Sequence, residues 1–317
     1  MLRQAVESNL DVIDDRLPQP LRSARRTHLA RQWAPAAAIA TAVMMAASGV
    51  GRPMEPASSR RAPTNSTVGL RSASAVPTPI VATAGKPFSP AVLGLGVRKI
   101  AIDAGHGGTS HGTSSVHGVS EKFVTLDIAR RLRLEMQARG FHTVMTREGD
   151  ETVSLQQRAA IANAGDADVF VSVHLNSFRS PTTLGIETYY LGPSDDDELD
   201  AIAERENQHS GYSMADLRTL LDKIFTDARR DESRRLAAAV QHTLVAQMRL
   251  VGATAVDRGV KAAPFVVLVA TDMPAILAEV SCLSNTHEAE RLNSQDYRQQ
   301  IAAALAAGVD NFARARG

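Results

Sequence analysis

An α/β domain built around one sheet is the fold class this 317-residue sequence predicts. Three observations predict it. From about residue 97 onward, apolar runs of strand length alternate with stretches whose apolar residues recur every three or four positions. Glycines stand where the helical stretches should stop. Hydrophobic residues make up 44% of the chain, enough for a sizeable core and too much for wholesale disorder. The 21 Gly, 14 Pro and single Cys fit neither a collagen repeat nor a disulfide framework.

The elements follow in order. Arg98 to Asp103 is a strand that runs into a Gly-rich turn. Val124, Ile128, Leu132 and Met136 recur every four residues and mark one face of a helix, which Gly140 ends. Phe141 to Thr146 is the next strand. Ser154 and Gln157 fit a capping box opening a helix that Gly165 closes. Val169 to His174 is an apolar strand buried on both faces, and Gly185 to Leu191 is another. Asp195 to Met248 is charged and helical in pattern. Strands return at Phe265 to Val269 and Ala275 to Val280, and a last helix covers about 296–312. Residues 96–317 read as one domain.

Two segments precede it. The formal charge of +1 hides an asymmetry, since residues 1–61 carry nine Lys/Arg against five Asp/Glu and the remainder is net −3. The body therefore has no basic surplus for nucleic acid, and none is expected as a partner. The basic stretch with Arg22, Arg25, Arg26 and Arg31 leads into an uncharged run at residues 34–50. That is the layout of an export signal, with Ala46 to Gly49 as a cleavage site. Arg25-Arg26-Thr27-His28-Leu29 resembles the twin-arginine signal, with His28 where an aromatic is usual. The alternative is an uncleaved anchor at 34–50. Either way the body lies outside the cytoplasm, in the periplasm or cell envelope. Residues 51–95, dense in Pro, Ser, Thr, Ala and Gly, read as a disordered linker.

One constellation carries chemistry. His106 follows the first strand inside Asp103-Ala104-Gly105-His106-Gly107-Gly108. Glu121 stands at the start of the next helix, and His174 ends the buried strand. Glu279 interrupts the apolar strand Ile276-Leu277-Ala278, where a charge is costly unless paired or metal-bound. Two His and a carboxylate at element ends make an open tetrahedral zinc site with a fourth position for water. Bound zinc brings that water's pKa to about 7. A further carboxylate takes its proton and passes it to a leaving amine. The parts are His106, Glu121 and His174 as ligands of one Zn2+, and Glu279 as general base and acid.

Here the sequence resembles the zinc-dependent N-acetylmuramoyl-L-alanine amidases of bacterial cell separation. The resemblance rests on IAIDAGHGG (100–108), Glu121-Lys122, VMTREGDETVSLQQRAAIAN (144–163), DVFVSVHLNS (168–177), GIETYYL (185–191) and PAILAEVSCLSN (274–285). It implies a mixed central sheet flanked by helices. It also implies hydrolysis of the amide between the lactyl group of N-acetylmuramic acid and L-alanine in peptidoglycan. It gives His106, Glu121, His174 and Glu279 the same roles as above. Ser110-His111-Gly112, Leu175 and Ser281-Cys282 depart from the family's usual residues.

The insert at 193–232 adds a regulatory expectation. Ala203-Glu204-Arg205-Glu206-Asn207 resembles the segment that, in regulated members, covers the zinc cleft until an activator protein displaces it. Glu204 or Glu206 then fills the role of an extra zinc ligand, and the sequence does not choose between them. A solvated surface helix is the plainer reading.

Other residues compete for roles. Asn176 shares a strand end with His174 and is a candidate to orient a ligand or substrate. His111 and His117 read as exposed loop histidines, and Arg147 and Arg158 as partners in structural ion pairs. Glu187 is either a supporting residue of the site or solvent-facing. Cys282, among apolar neighbours, reads as an inert buried thiol rather than a nucleophile. Two further functions remain open beside the amidase: a non-catalytic wall- or activator-binding module on the same fold, and a zinc peptidase cutting within the stem peptide.

Overall fold

The computed structural model describes residues 96–194, 196–208, 210–217 and 227–316. The leader and linker expectations, at 1–50 and 51–95, lie outside those residues.

The elements in chain order are β1 (Lys99–Ala104), α1 (Glu121–Ala138), β2 (His142–Met145), α2 (Leu155–Ala164), β3 (Val169–Asn176) and β4 (Ile186–Leu191). There follow α3 (Asp197–Glu206), α4 (Asp227–Leu250), β5 (Asp257–Ala263), α5 (Val266–Val269), β6 (Ala275–Cys282), α6 (Thr286–Leu292) and α7 (Gln295–Arg314). The strands form one six-stranded sheet in the order β2-β1-β3-β6-β4-β5. Neighbours pair in parallel except β4 and β6, which are antiparallel, so the sheet is mixed.

Alternation along the strands builds two cores. Ile100, Ile102, Val169, Val171, Val173, Ile276 and Ala278 face α1, α4 and α7 and share one apolar cluster with them. The opposite parity, with Ala101, Phe170, Tyr189, Ala275 and Leu277, faces Leu199, Ile202 and Ala203 of α3 and Phe265 and Leu268 beside α5. The four-residue period in α1 is confirmed: Val124, Ile128, Leu132 and Met136 are all buried. Each such side chain contributes about 1.5–3 kcal/mol. The capping box of Ser154 and Gln157 is formed in both directions, and Gly165 follows α2.

Two expectations are corrected. Phe265 to Val269 holds the short helix α5, not a strand. Its valines are uniformly apolar because they are buried on every side, which periodicity cannot tell from a central strand. The Val266 N–H donates to Asn207 Oδ1, starting the turn. The strand lies earlier, at β5, where Asp257, Arg258, Gly259 and Lys261 hide it: it is a sheet edge without an apolar run. Helix α6 was also not anticipated; the Asn285 side chain caps it by accepting from Glu288 N–H.

Candidate functional site

Strand parity assembles the site. Asp103, His174, Glu279 and Glu187 all point to the α3 side of the sheet. The register sets His174 of β3 opposite Glu279 of β6, and Glu279 opposite Glu187 of β4, a row of three polar residues across the sheet's centre. Past the end of β1, His106 folds back over this row, and α1 presents Glu121 from its first position.

Four donor atoms converge there. His106 Nε2 lies 3.2 Å from Glu121 Oε1 and 3.1 Å from Glu206 Oε2. His174 Nδ1 lies 3.4 Å from the same Glu121 oxygen and 3.1 Å from the same Glu206 oxygen. The rest of each side chain is tied down. His106 Nδ1 is 3.1 Å from Ser110 Oγ. The Glu121 carboxylate accepts from Thr113 N–H at 2.8 Å and from Leu175 N–H at 2.9 Å. Arg205 donates to the other Glu206 oxygen at 3.1 Å and to Ser177 O at 2.7 Å. Two glycines make room. A Cβ at Gly105 would meet the His174 ring at 2.6 Å, and one at Gly112, with φ +66°, would meet His106 and Glu121 at 2.6 Å.

The electrostatics of the cluster call for positive charge. Burial opposes a proton on His106, but Glu121 and Glu206 outweigh it and hold its pKa up to about 9. His174 is raised well above its usual value by the same two carboxylates, again against burial. Burial pushes the Glu121 and Glu206 carboxyls up, and the facing histidines more than reverse it. A divalent cation meets the same demand without protons. His106 Nε2, His174 Nδ1 and Glu206 Oε2 are buried without a hydrogen-bond partner among the described residues. Tetrahedral zinc with bonds of about 2.0–2.1 Å needs donors about 3.3 Å apart. The observed 3.1–3.4 Å spacing fits it.

Glu279 stands beside the cluster and differs from all four. It is fully buried, and neither oxygen has a hydrogen bond among the described residues. Burial raises its pKa well above the carboxylate range; nearby His174 opposes this, and Glu206 and Glu121 add to it. A carboxyl ready to accept or return a proton has this environment.

The remaining sequence candidates sort clearly. Glu206 joins the cluster, while Glu204 is exposed on the other side of α3. Helix phase separates them: Glu206 shares the buried face of Leu199, Ile202 and Ala203. Asn176 is buried beside the site but donates to Glu187, not to a cluster donor. His111 is exposed and lines a cavity of about 350 Å³ with His106, Arg205 and Glu206; His117 is exposed in the same loop. Cys282 is buried, and burial raises its thiol pKa, as an inert thiol requires.

One reading is corrected and one open alternative is decided. Arg158 does form an ion pair, with Asp103 at 2.7 Å, but Arg147 forms none among the described residues. Its guanidinium donates to the carbonyls of Ala104, Gly105, Lys122 and Gly149, which ties the turn after β1 to the start of α1 and to the loop after β2. Glu187 is completely buried, not solvent-facing, since β4 is an inner strand. It accepts from Asn176, Tyr189 Oη, Arg258 and Lys261. The sequence reading missed Arg258 and Lys261, together with the strand that carries them. It also missed Asn207, which donates to Pro264 O and accepts from Val266 N–H, fixing the end of α3.

Comparison with known proteins bears on the fold and the site together. The family profile described as N-acetylmuramoyl-L-alanine amidase matches residues 100–311. The N-acetylmuramoyl-L-alanine amidase AmiC of Neisseria meningitidis is 35% identical over 222 residues, which cover 67% of this chain and 52% of that protein. The chain thus spans about half the length of that relative. An N-acetylmuramoyl-L-alanine amidase crystal structure from Clostridium difficile 630 superposes with a TM-score of 0.55 at 29% identity, over 70% of this chain and all of that one. The amidase AmiC2 of Nostoc punctiforme gives 0.52 at 29% identity, over 68% of this chain and 97% of that one.

Proposed function

The chain belongs to the N-acetylmuramoyl-L-alanine amidase family, and from that premise we propose a zinc-dependent hydrolase held shut by its own insert. The bond cleaved is the amide between N-acetylmuramic acid and L-alanine of peptidoglycan stem peptides. The task is cell-wall remodelling or the separation of daughter cells. The observation that carries this reading is the convergence of His106, Glu121, His174 and Glu206 at 3.1–3.4 Å beside Glu279, which has no hydrogen-bond partner among the described residues.

His106, Glu121 and His174 would hold one zinc ion, which when bound would supply Lewis acidity to the scissile carbonyl and acidify a water. Glu279 is placed to take a proton from the attacking water at its carboxylate and to return it to the amide nitrogen. The water oxygen bonds to the carbonyl carbon as the C–N bond breaks, giving a lactyl carboxyl and a free L-alanine amine. Thr113 and Leu175 N–H groups hold the Glu121 carboxylate in place through both steps.

Glu206 Oε2 stands 3.1 Å from both His106 Nε2 and His174 Nδ1, where it would compete with water for a bound metal. Its support comes from Arg205 on one side and from the buried Leu199, Ile202 and Ala203 face of α3 on the other. The resting chain is therefore autoinhibited, and an activator protein that lifts α3 opens it. Residues 1–50 export the domain, by cleaved signal or by an anchor at 34–50. Residues 51–95 tether it, and 96–317 act in the periplasm or cell envelope.

Purified peptidoglycan treated with the full chain and with Glu206→Ala, with and without a chelator, tests this. New L-alanine amino termini are scored. Release should be slow for the parent, at least tenfold faster for Glu206→Ala, and abolished by chelation. Equal rates would sink the insert as a gate. Chelator-resistant release would sink the zinc. Termini other than L-alanine would point to the peptidase, and none from either protein to a binding module.

A further inference from the structure

Of the three proposed zinc ligands, two stand on regular structure: Glu121 on α1 and His174 on β3. His106 stands on a loop, and its own backbone is unusual. Its φ is +60°, a left-handed conformation shared among the described non-glycine residues only by Asp166. Such a conformation costs on the order of 1 kcal/mol or more and persists where the surroundings over-determine it.

Two buried arginines supply the surroundings. The Gly105 N–H still donates to Val173 O at 3.0 Å; from there the chain turns away from the sheet, and the carbonyls of Ala104, Gly105 and His106 need partners away from water. Ala104 O accepts from Arg158 Nη1 at 2.6 Å and from Arg147 Nε at 2.9 Å. Gly105 O accepts from Arg147 Nη2 at 2.8 Å and also from the Thr125 hydroxyl at 2.9 Å. His106 O accepts from Arg158 Nη2 at 2.5 Å. Arg158 is itself immobilised, with Nε on Val153 O at 3.1 Å and Nη1 on Asp103 at 2.7 Å. Asp103 in turn accepts from Ser172 and Thr146 hydroxyls, which fixes the guanidinium to β1 and β3.

We propose that Arg158, assisted by Arg147, is a positioning residue for the metal site. It locks the His106 backbone in the conformation that turns Nε2 toward Glu121 and His174. The proposal rests on the metal reading given above. Arginine is required because its planar fork reaches four acceptors at fixed angles, whereas a lysine ammonium on a flexible stem does not hold all four in that geometry.

The test compares the full chain with Arg158→Lys, Arg158→Gln and a core control, Met136→Ala. The control loses a buried side chain remote from the metal donors and should lower thermal stability. Two readouts are taken besides activity: zinc dissociation constant by competition with a chromophoric chelator, and the visible spectrum after cobalt substitution. Both Arg158 variants should bind zinc about 10–100-fold more weakly and show a shifted, weakened cobalt band. Met136→Ala should match the parent in both. Arg158 variants that bind zinc like Met136→Ala, with an unchanged cobalt spectrum, would overturn the clamp and leave the metal site standing. A parent chain that takes up no zinc would overturn both. If Arg158→Gln does not fold, Arg158→Lys and Arg147→Lys decide by the same readouts.

Discussion

Glu187 and Glu279 stand directly opposite each other on β4 and β6, and both are fully buried. Their surroundings differ completely. Four donors surround Glu187, two of them cationic, while Glu279 has none among the described residues. Equal burial therefore says nothing about role; the partners do. A buried carboxylate with every lone pair engaged is scaffold that fixes strands to one another. One left unsatisfied is a standing cost that folding alone would not retain, which marks it for chemistry.

The largest effect expected from this contrast is on catalysis. Glu279→Gln should lower amide hydrolysis by about 10³-fold, measured as kcat on peptidoglycan, with a thermal midpoint within a few degrees of the parent. A variant that kept its rate would erase the distinction. Glu187→Ala should do the reverse. Taking the buried carboxylate from Lys261, and leaving Arg258 with only the exposed Glu198, should cost about 2–3 kcal/mol in urea unfolding. Its kcat should fall far less than that of Glu279→Gln.

A third prediction uses pH. In chelator-treated protein, the raised His106 pKa adds stability that is fully present below its ordinary value near 6.5 and is lost as pH climbs through about 9. Urea midpoints should fall across that window in the stripped protein and stay level in the zinc-loaded one. Parallel curves would show that no metal replaces the proton. The smallest effect is expected at Asn176, whose side chain serves Glu187. Asn176→Ala should cost about 1–2 kcal/mol and leave zinc affinity unchanged, since it touches Glu187 and Arg205 but none of the cluster donors.

The contrast also explains what the sequence disclosed. His106, Glu121, His174 and Glu279 were legible because each is polar at the end of, or inside, an apolar element, which local pattern exposes. Glu187 was ambiguous because its partners Arg258 and Lys261 lie more than seventy residues further on. Those same charges made β5 look like a loop. Strand and ion cluster were thus hidden by one cause: a residue's charge reads as exposure until its partner is known. The Val-rich α5 failed oppositely, because uniform burial removes the periodicity that separates helix from strand. The choice between Glu204 and Glu206 was within reach. Leu199, Ile202 and Ala203 define the buried face of α3, and Glu206 falls on that face.

The place of β6 in the sheet has a consequence for biosynthesis. It is the last strand to be made, yet it lies between β3 and β4. Until Ala275–Cys282 has emerged, β2-β1-β3 and β4-β5 have no shared ladder, and both halves present open inner edges. Such edges invite pairing between chains. A polypeptide cut short before β6 would carry every proposed zinc ligand and still be an aggregation hazard rather than a slow enzyme. Under the proposed function, hydrolysis therefore waits for β6, which also carries Glu279.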